Sequence, residues 1–346
     1  MRKASAVMMR TSRDGLYESF YFRATSSDGR YAFWLKHNLL RRYGESAVQL
    51  DLAFILFDRQ NASSQVLHQQ QTLSADALPG DWQQARLGHA DSAYSQITPT
   101  QLQGSITENG QTVSWDWTCQ AQGQTLYHFP AQLWYHTPWP KKKILTVQSR
   151  LVLQGSLRFG DLLLHGRWVG MTGHNWGREH AYRYAYANCT EFAADDAYFD
   201  GLSAHLALAR RHIITPPLSL ACLHLAGRWH RFDSLLRAPR QRVTRLDDEH
   251  WHVDLLNDEH RLRVRVDAAP PGVCAWVGLH YEHPDGSRSV VRNTKFAQLE
   301  LNLYTHAGRL IRRLHSDRCE LETLLPEHTA GTTYKAEIIA AHPSRR

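Results

Sequence analysis

The sequence lacks the features that identify several large classes of protein. Its five cysteines are widely spaced, odd in number and without a Cys-x-x-Cys pair, which favours reduced thiols over a disulfide framework. No window approaches the apolar length of a membrane-spanning helix, and the basic N-terminus carries no sustained apolar stretch. We therefore expect a soluble, cytoplasmic protein.

Motifs of several enzyme classes are also missing. No His-Glu-x-x-His occurs, and His174 and His180 are not spaced to share one face of a helix, so we predict no metal site. No Gly-x-Ser-x-Gly elbow follows a strand and no glycine-rich loop opens a helix, which disfavours serine hydrolases and nucleotide or dinucleotide enzymes. We expect no cofactor.

The charge is basic but dispersed. Lys and Arg outnumber Asp and Glu by 40 to 33, and no arginine-rich arm or zinc module accompanies the excess, so nucleic acid is not an expected partner. The densest run, Lys141-Lys142-Lys143, suits either a solvated loop or an anionic surface. This leaves peripheral contact with the inner face of a membrane open.

Hydrophobic residues alternate with polar residues, which predicts strands with one wet face. Dipeptides suited to tight hairpins, Asp28-Gly29, Asn109-Gly110 and Asp285-Gly286, separate such runs. The alternating apolar sets are Val113, Trp115 and Trp117; Leu262, Val264 and Val266; and Leu299, Leu301 and Leu303. We predict a mostly antiparallel, all-β protein with few short helices.

A chain of 346 residues predicts two domains. Pro216-Pro217 can continue neither a central strand nor a helix, so we place the boundary there, giving domains 1–214 and 215–346. Segments 200–211 and 83–87 are the candidate helices. Gly166-Arg167-Trp168 and Gly227-Arg228-Trp229, one on each side of the boundary, suggest a duplicated barrel whose Trp closes the end, although two such triplets can also coincide by chance.

The densest group of polar and aromatic residues runs from Gly166 to Asp200. A strand over 181–187 would put three tyrosines on one face, where they could line a cavity or simply fill a barrel interior. The residues predicted to bind a substrate here are Trp168, Asn175, His180, Tyr182, Tyr184 and Tyr186.

Four residues of this segment suit chemistry on an apolar substrate. Asp200 could donate a proton, Trp176 and Tyr198 could offer π-faces to positive charge, and His174 could orient the acid or move its proton. The structural alternatives are that Asp200 ends a strand and His174 is a core histidine with satisfied hydrogen bonds.

Gly173-His174-Asn175-Trp176-Gly177 resembles the His-Asn-Trp-Gly segment of the carotenoid 1,2-hydratase (hydroxyneurosporene synthase) and tocopherol cyclase group. The segments 17–22 and 32–36, the second of which contains Trp34, resemble bacterial relatives of that group, and Trp34 joins the predicted substrate-binding residues. Two departures are that Gly173 stands where the hydratase commonly has an acidic residue, and that the spacing to Tyr198-x-Asp200 is a few residues shorter.

The resemblance implies two consecutive lipocalin-like β-barrels or half-barrels with a hydrophobic pocket near their junction. It also implies proton-initiated, cofactor-free addition to a polyene or prenyl double bond, with His174, Trp176, Tyr198 and Asp200 as the active-site groups. We thus expect a hydratase, cyclase or isomerase acting on an isoprenoid, polyketide or fatty-acyl substrate. A non-catalytic carrier of a lipid or pigment is the alternative, for which an aromatic-lined barrel suffices.

Overall fold

A computed structural model describes residues 15–325 apart from 79, 85, 88–91, 130–131, 138–140, 193–195 and 209–212. These residues form strands joined by turns and by four 3₁₀ segments, and no α-helix occurs among them. The 3₁₀ segments are Ala75–Ala77, Trp82–Gln84, Gln132–Tyr135 and Leu235–Arg240. None of the described segments is a helix long and apolar enough to cross a membrane.

The first eleven strands make one sheet. They are β1 (Leu16–Ser26), β2 (Tyr31–Arg41), β3 (Ala47–Asp58), β4 (Ser63–Ser74), β5 (Arg86–Leu87), β6 (Ala93–Ile97), β7 (Gln101–Glu108), β8 (Gln111–Ala121), β9 (Leu126–Tyr127), β10 (Lys142–Phe159) and β11 (Leu162–Gly177). The order is β4-β3-β2-β1-β11-β10-β8-β7-β6-β5, with β9 paired to β10. The β4 edge returns to β7, where the His68 amide and the Gln69 side chain donate to Glu108 and the Thr107 carbonyl, so the barrel is nearly closed.

The second sheet is a half-barrel of antiparallel strands. The later strands are β12 (Arg183–Cys189), β13 (Ala197–His205), β14 (Ala207–Leu208), β15 (Ile213–Ile214), β16 (Leu218–Leu225), β17 (Arg228–Phe232), β18 (Arg242–Leu246), β19 (His250–Leu256), β20 (His260–Asp267), β21 (Trp276–Glu282), β22 (Arg288–Thr305) and β23 (Leu310–Leu325). The order is β17-β16-β13-β12-β23-β22-β20-β19-β18, with β21 paired to β22 and β14-β15 forming a separate ribbon. The all-β, lipocalin-like prediction is confirmed.

The change from one sheet to the other falls between Gly177 and Arg183. β12 pairs with β23 and β13 with β16, so both strands belong to the second sheet, and the boundary predicted after residue 214 does not coincide with the change. Local composition could not reveal this, because the partner of Tyr184 is Leu324, far along the chain. The described part of segment 200–211 is likewise strand and not helix.

Each sheet encloses its own apolar core, and a third layer lies between them. Alternate residues of β1 such as Phe20 and Phe22 point into the first barrel, where Phe33 stacks on Trp117 at 4.6 Å between ring centroids. The intervening residues Tyr21 and Arg23 are also buried, since the outer face of β1 packs against the second sheet. Strands buried on both faces position the candidate site.

Candidate active site

Asp200 is the centre of a buried polar cluster between the two sheets. Its side chain is fully buried, and Oδ2 accepts hydrogen bonds from Thr146 Oγ1 at 2.7 Å, Tyr198 Oη at 2.7 Å, Asn188 Nδ2 at 3.0 Å and Tyr186 Oη at 3.3 Å. Oδ1 has no hydrogen-bond partner among the described residues. One carboxyl oxygen is therefore held firmly while the other is left to interact with something else.

The sequence of β12 and β13 explains why these groups meet. Because side chains alternate along a strand, Ala185, Ala187 and Phe199 point into the core of the second sheet. The polar residues between them therefore face the first barrel. Burial, and then the nearby Asp200, raise the pKa of Tyr186 and of Tyr198 well above the usual value. Both hydroxyls consequently keep their protons at neutral pH and act as donors.

His128, which follows β9, extends the Asp200 cluster. Its Nε2 lies 3.1 Å from Thr146 Oγ1 and 3.9 Å from Asp200 Oδ2, and its buried Nδ1 has no hydrogen-bond partner among the residues that the structure describes. Burial lowers the pKa of His128, and the Asp200 charge only partly opposes this. Since the Thr146 hydroxyl proton points to Asp200, Nε2 is the donor to Thr146 and Nδ1 carries the free lone pair.

A second set of charges lies along the same layer. Glu320 Oε2 lies 2.8 Å from Arg23 Nε, and Glu320 Oε1 contacts Lys295 Nζ. Asn293 Nδ2 donates to Glu320 at 2.9 Å and to Glu322 at 3.0 Å. Burial would raise the pKa of Glu320, but Lys295 and Arg23 lower it below its usual value. The carboxylate is therefore ionised and ties strands from the two sheets together.

His174 and Trp176 lie on the opposite face of β11 from this layer. They pair in register with Phe20 and Glu18 on the side that faces the first barrel's interior. His174 Nε2 contacts Glu18 Oε1 at 2.7 Å, and its ring stacks on Trp176 at 4.4 Å. The predicted quartet is thus split into two pairs.

Tyr135 connects these two pairs. Its ring lies 5.9 Å from that of Trp176, and its hydroxyl accepts from the His128 amide at 2.8 Å. His128 in turn contacts Thr146, which donates to Asp200. The histidine–tryptophan pair can therefore act on the acid only through intervening groups.

The remaining predicted residues differ in their positions. Tyr184, Tyr186 and Trp34 face the layer between the sheets. Lys36 Nζ and Lys295 Nζ lie 4.3 and 4.2 Å from the centroid of the Trp34 ring. Trp168 is in the first barrel's core, 5.7 Å from Phe33 and on the opposite face of β11 from the layer, and its part in substrate binding stays a prediction.

Three further predicted residues lie at or near the edge of the layer. Asn175 is half-buried on the outer face of β11, and His180 stacks on Tyr17 at 3.9 Å. Tyr182 precedes β12, half-buried, with its amide bonded to the His205 carbonyl, so it does not extend the row of Tyr184 and Tyr186 on that strand.

Sequence reasoning missed the groups that come from distant strands. Thr146, Asn188, His128, Glu320 and Arg23 belong to no local motif, because each reaches the layer from a different part of the chain. One signal was available for Asn188, which shares the alternation of Tyr184 and Tyr186.

Gly173 has a steric role at this layer. A Cβ placed on it would lie 2.2 Å from the Tyr21 ring, so any larger residue would displace that ring. The Tyr21 ring therefore occupies the space beside the strand where the resembling hydratases commonly carry an acidic side chain. Burial, followed by Glu320 and Asp200, raises the pKa of Tyr21 well above normal, so its hydroxyl also stays protonated.

The fold and this layer define an all-β protein of two packed lipocalin-like sheets with a buried acid between them. The chain belongs to the Tocopherol cyclase-like family, whose model matches residues 14–324. Curated relatives include two uncharacterized proteins from strains of Mycobacterium tuberculosis, 26% identical over 215 residues. That match covers 62% of this chain and 61% of each relative, so the chain matches only about three fifths of their length.

Solved structures of similar fold include three with low sequence identity. CghA in complex with Sch210972 has a TM-score of 0.51 at 12% identity, over 91% of this chain and 89% of that one. Kievitone hydratase from Nectria haematococca has a TM-score of 0.46 at 8% identity, covering 91% and 89%. A putative AttH from Nitrosomonas europaea has a TM-score of 0.46 at 12% identity, over 89% of this chain and 92% of that one.

Proposed function

We propose that this protein is a cofactor-free enzyme of the hydratase, cyclase or isomerase type that protonates a double bond of a hydrophobic substrate between its two sheets. The observation that carries the proposal is the buried Asp200, held through Oδ2 while Oδ1 has no hydrogen-bond partner in the described part of the chain. A carboxylic acid fixed in this way has the geometry of a general acid. Membership of the Tocopherol cyclase-like family supports the same reaction class.

In the proposed first step, Asp200 carries a proton on Oδ1; this O–H bond breaks and a C–H bond forms at one carbon of the double bond. Positive charge then develops on the other carbon. The rings of Tyr198 and Tyr186 lie beside the acid and offer π-faces to that charge. The same tyrosine hydroxyls, with Thr146, stabilise the carboxylate that the step leaves behind.

The second step consumes the cation and restores the acid. In a hydration, a water oxygen bonds to the cationic carbon and a water proton returns to Asp200. In a cyclisation or isomerisation, ring closure followed by loss of a proton, or loss of a neighbouring proton alone, takes the place of water. His128, 3.9 Å from Asp200 Oδ2 and with its Nδ1 lone pair free, is suited to receive and pass on that proton.

The test is turnover of candidate polyenes and prenylated compounds in deuterated water by the wild type, Asp200→Asn and Asp196→Asn. Asn retains the shape of Asp200 but cannot deliver its proton, so we expect a loss of at least about 100-fold. Asp196, 68% exposed and immediately before the same strand, is the matched control, and its replacement should leave turnover unchanged. Circular dichroism of both variants checks that folding is retained.

The outcomes separate the enzyme from the carrier. A product carrying one solvent deuterium, lost in Asp200→Asn alone, supports the acid. Full turnover by Asp200→Asn would contradict its role. A bound apolar ligand returned without deuterium by the wild type would identify a carrier.

A further inference from the structure

Two lysines enter the layer between the sheets without an acidic partner. Lys36 on β2 is 4% exposed, donates to Tyr281 Oη at 2.6 Å, and lies over the rings of Trp34 and Tyr281 at 4.3 and 4.2 Å. Lys142 Nζ, at the start of β10, lies 4.4 Å over the Tyr184 ring. Within the described residues, neither ammonium has a carboxylate at ion-pair distance, and Glu322 is the charged group that acts most strongly on the pKa of each, raising it against the larger effect of burial.

His180 lies among these cations. Its ring stacks on Tyr17 and lies 4.6 Å from that of His283, and its buried Nδ1 has no hydrogen-bond partner within the described ranges. Burial lowers the pKa of His180 well below normal, and Lys142, His283 and Lys36 lower it further. The His180 ring also lies 5.9 Å from the ring of Tyr281, which Lys36 contacts, and Tyr281 packs in the same apolar cluster as Tyr184, which lies beneath Lys142.

The acid that acts most strongly on both lysines, Glu322, already has hydrogen-bond donors of its own. Glu322 accepts from Tyr184 Oη at 2.5 Å and from Asn293 Nδ2 at 3.0 Å. A buried cation without a contacting anion is costly, and aromatic faces compensate for only part of that cost. The local charge is therefore complementary to one added negative group.

Lys142 and Asp200 contact residues of the same strand, β12. Tyr184, beneath Lys142, and Asn188, bonded to Asp200, occupy one face of β12 four residues apart, which is roughly 14 Å along an antiparallel strand. Tyr186 and Tyr21 lie between them and interact with each other. An elongated molecule could contact both ends of this row.

We propose that the layer holds an amphiphilic substrate whose single carboxylate binds between Lys36, Lys142 and His180 while its apolar chain runs along the tyrosines toward Asp200. The inference deepens the proposed function and rests on it for the reacting end only. Two separate ammonium groups and an imidazole suit one carboxylate better than a diphosphate, which usually recruits arginine forks or a helix N-terminus.

The probes are cis-parinaric acid and its methyl ester, which share one fluorescent polyene chain and differ in charge. We expect the wild type to bind the acid at least about 10-fold more tightly than the ester at pH 7, as one charge-assisted contact provides. In Lys36→Met and Lys142→Met the ratio of the two Kd values should fall to about 2 or less. Met retains the length of the side chain without its charge.

Lys141→Met is the matched control from the same run of lysines. Lys141 is exposed and pairs with Glu179, so this variant should keep the wild-type preference for the acid. Equal affinities in the wild type, absence of binding of both probes, or a preference that survives both test variants would overturn the carboxylate site. Thermal denaturation checks that the variants are folded.

The two proposals fail separately. Asp200→Asn should retain the acid-to-ester ratio, because the acid lies at the other end of the row. If the ratio collapses in the lysine variants while no substrate gains deuterium, the carboxylate site stands and the catalytic proposal falls. Deuterium transfer with no charge preference would give the reverse conclusion.

Discussion

Replacing Lys36 by Met should change how the stability of the protein depends on pH. Burial lowers the pKa of Lys36 from 10.5 in the unfolded chain to about 8 in the folded one. The unfolded state therefore binds more protons between those values, and this lysine makes the free energy of unfolding rise as pH increases from about 8 to 10.5. Below pH 8 its buried charge costs about 3 kcal/mol relative to pH 10.5.

The size of the effect is the difference in free energy of unfolding between Lys36→Met and the wild type. Met cannot titrate, so the stability of Lys36→Met relative to the wild type should be about 3 kcal/mol more favourable at pH 7 than at pH 10.5. The variant also loses the hydrogen bond to Tyr281 and the contact with Trp34. These losses change the stability at both pH values and largely cancel when the two are compared.

Urea denaturation of the wild type, Lys36→Met and the exposed control Lys141→Met at both pH values measures the effect. The buried tyrosines titrate alike in all three proteins, so their contribution also cancels. A pH-independent difference between Lys36→Met and the wild type would refute the reasoning. So would a similar pH dependence in the Lys141→Met comparison.

Three further substitutions test the layer and the core. Gly173→Val should lower the free energy of unfolding by about 1–3 kcal/mol in urea, because its side chain meets a buried tyrosine ring; unchanged stability would contradict the contact. Glu320→Gln should cost about 3–5 kcal/mol by leaving two buried cations unpaired, and an unaltered Tm would show that the pairing contributes little. Trp168→Ala should lower the free energy of unfolding by a similar amount, about 3–5 kcal/mol, because it removes a core ring. The folded variant should still prefer parinaric acid over its ester, and loss of that preference would place Trp168 at the substrate site.

Much of the fold could be predicted from short-range patterns. The alternating set of Val113, Trp115 and Trp117 is buried in β8, and the corresponding sets in β20 and β22 are buried as well. Asn109 and Gly110 both adopt positive φ at the β7–β8 hairpin, as the dipeptide predicts. These features depend on side-chain direction and backbone sterics within a few residues, which the sequence encodes directly.

The same alternation predicted part of the candidate site. Tyr198 and Asp200 are two residues apart on β13 and share a face, so their hydrogen bond follows from the spacing of a strand. His174 and Trp176 share a face of β11 for the same reason. Which face of each strand meets the other sheet could not be inferred, because both faces carry aromatic residues.

The sequence by itself determined the strand class, the hairpin turns and the pairs of residues that lie together on one strand. Only the tertiary structure decided that β12 and β13 join the second sheet and that Asp200 faces the layer between the sheets while His174 faces the first barrel's interior. It alone also decided that Lys36 and Lys142 enter that layer with no counterion among the described residues. The physical reason is that strand pairing and sheet packing join residues hundreds of positions apart, as with Arg23 and Glu320. Such contacts depend on the summed burial of whole faces, which no local spacing records.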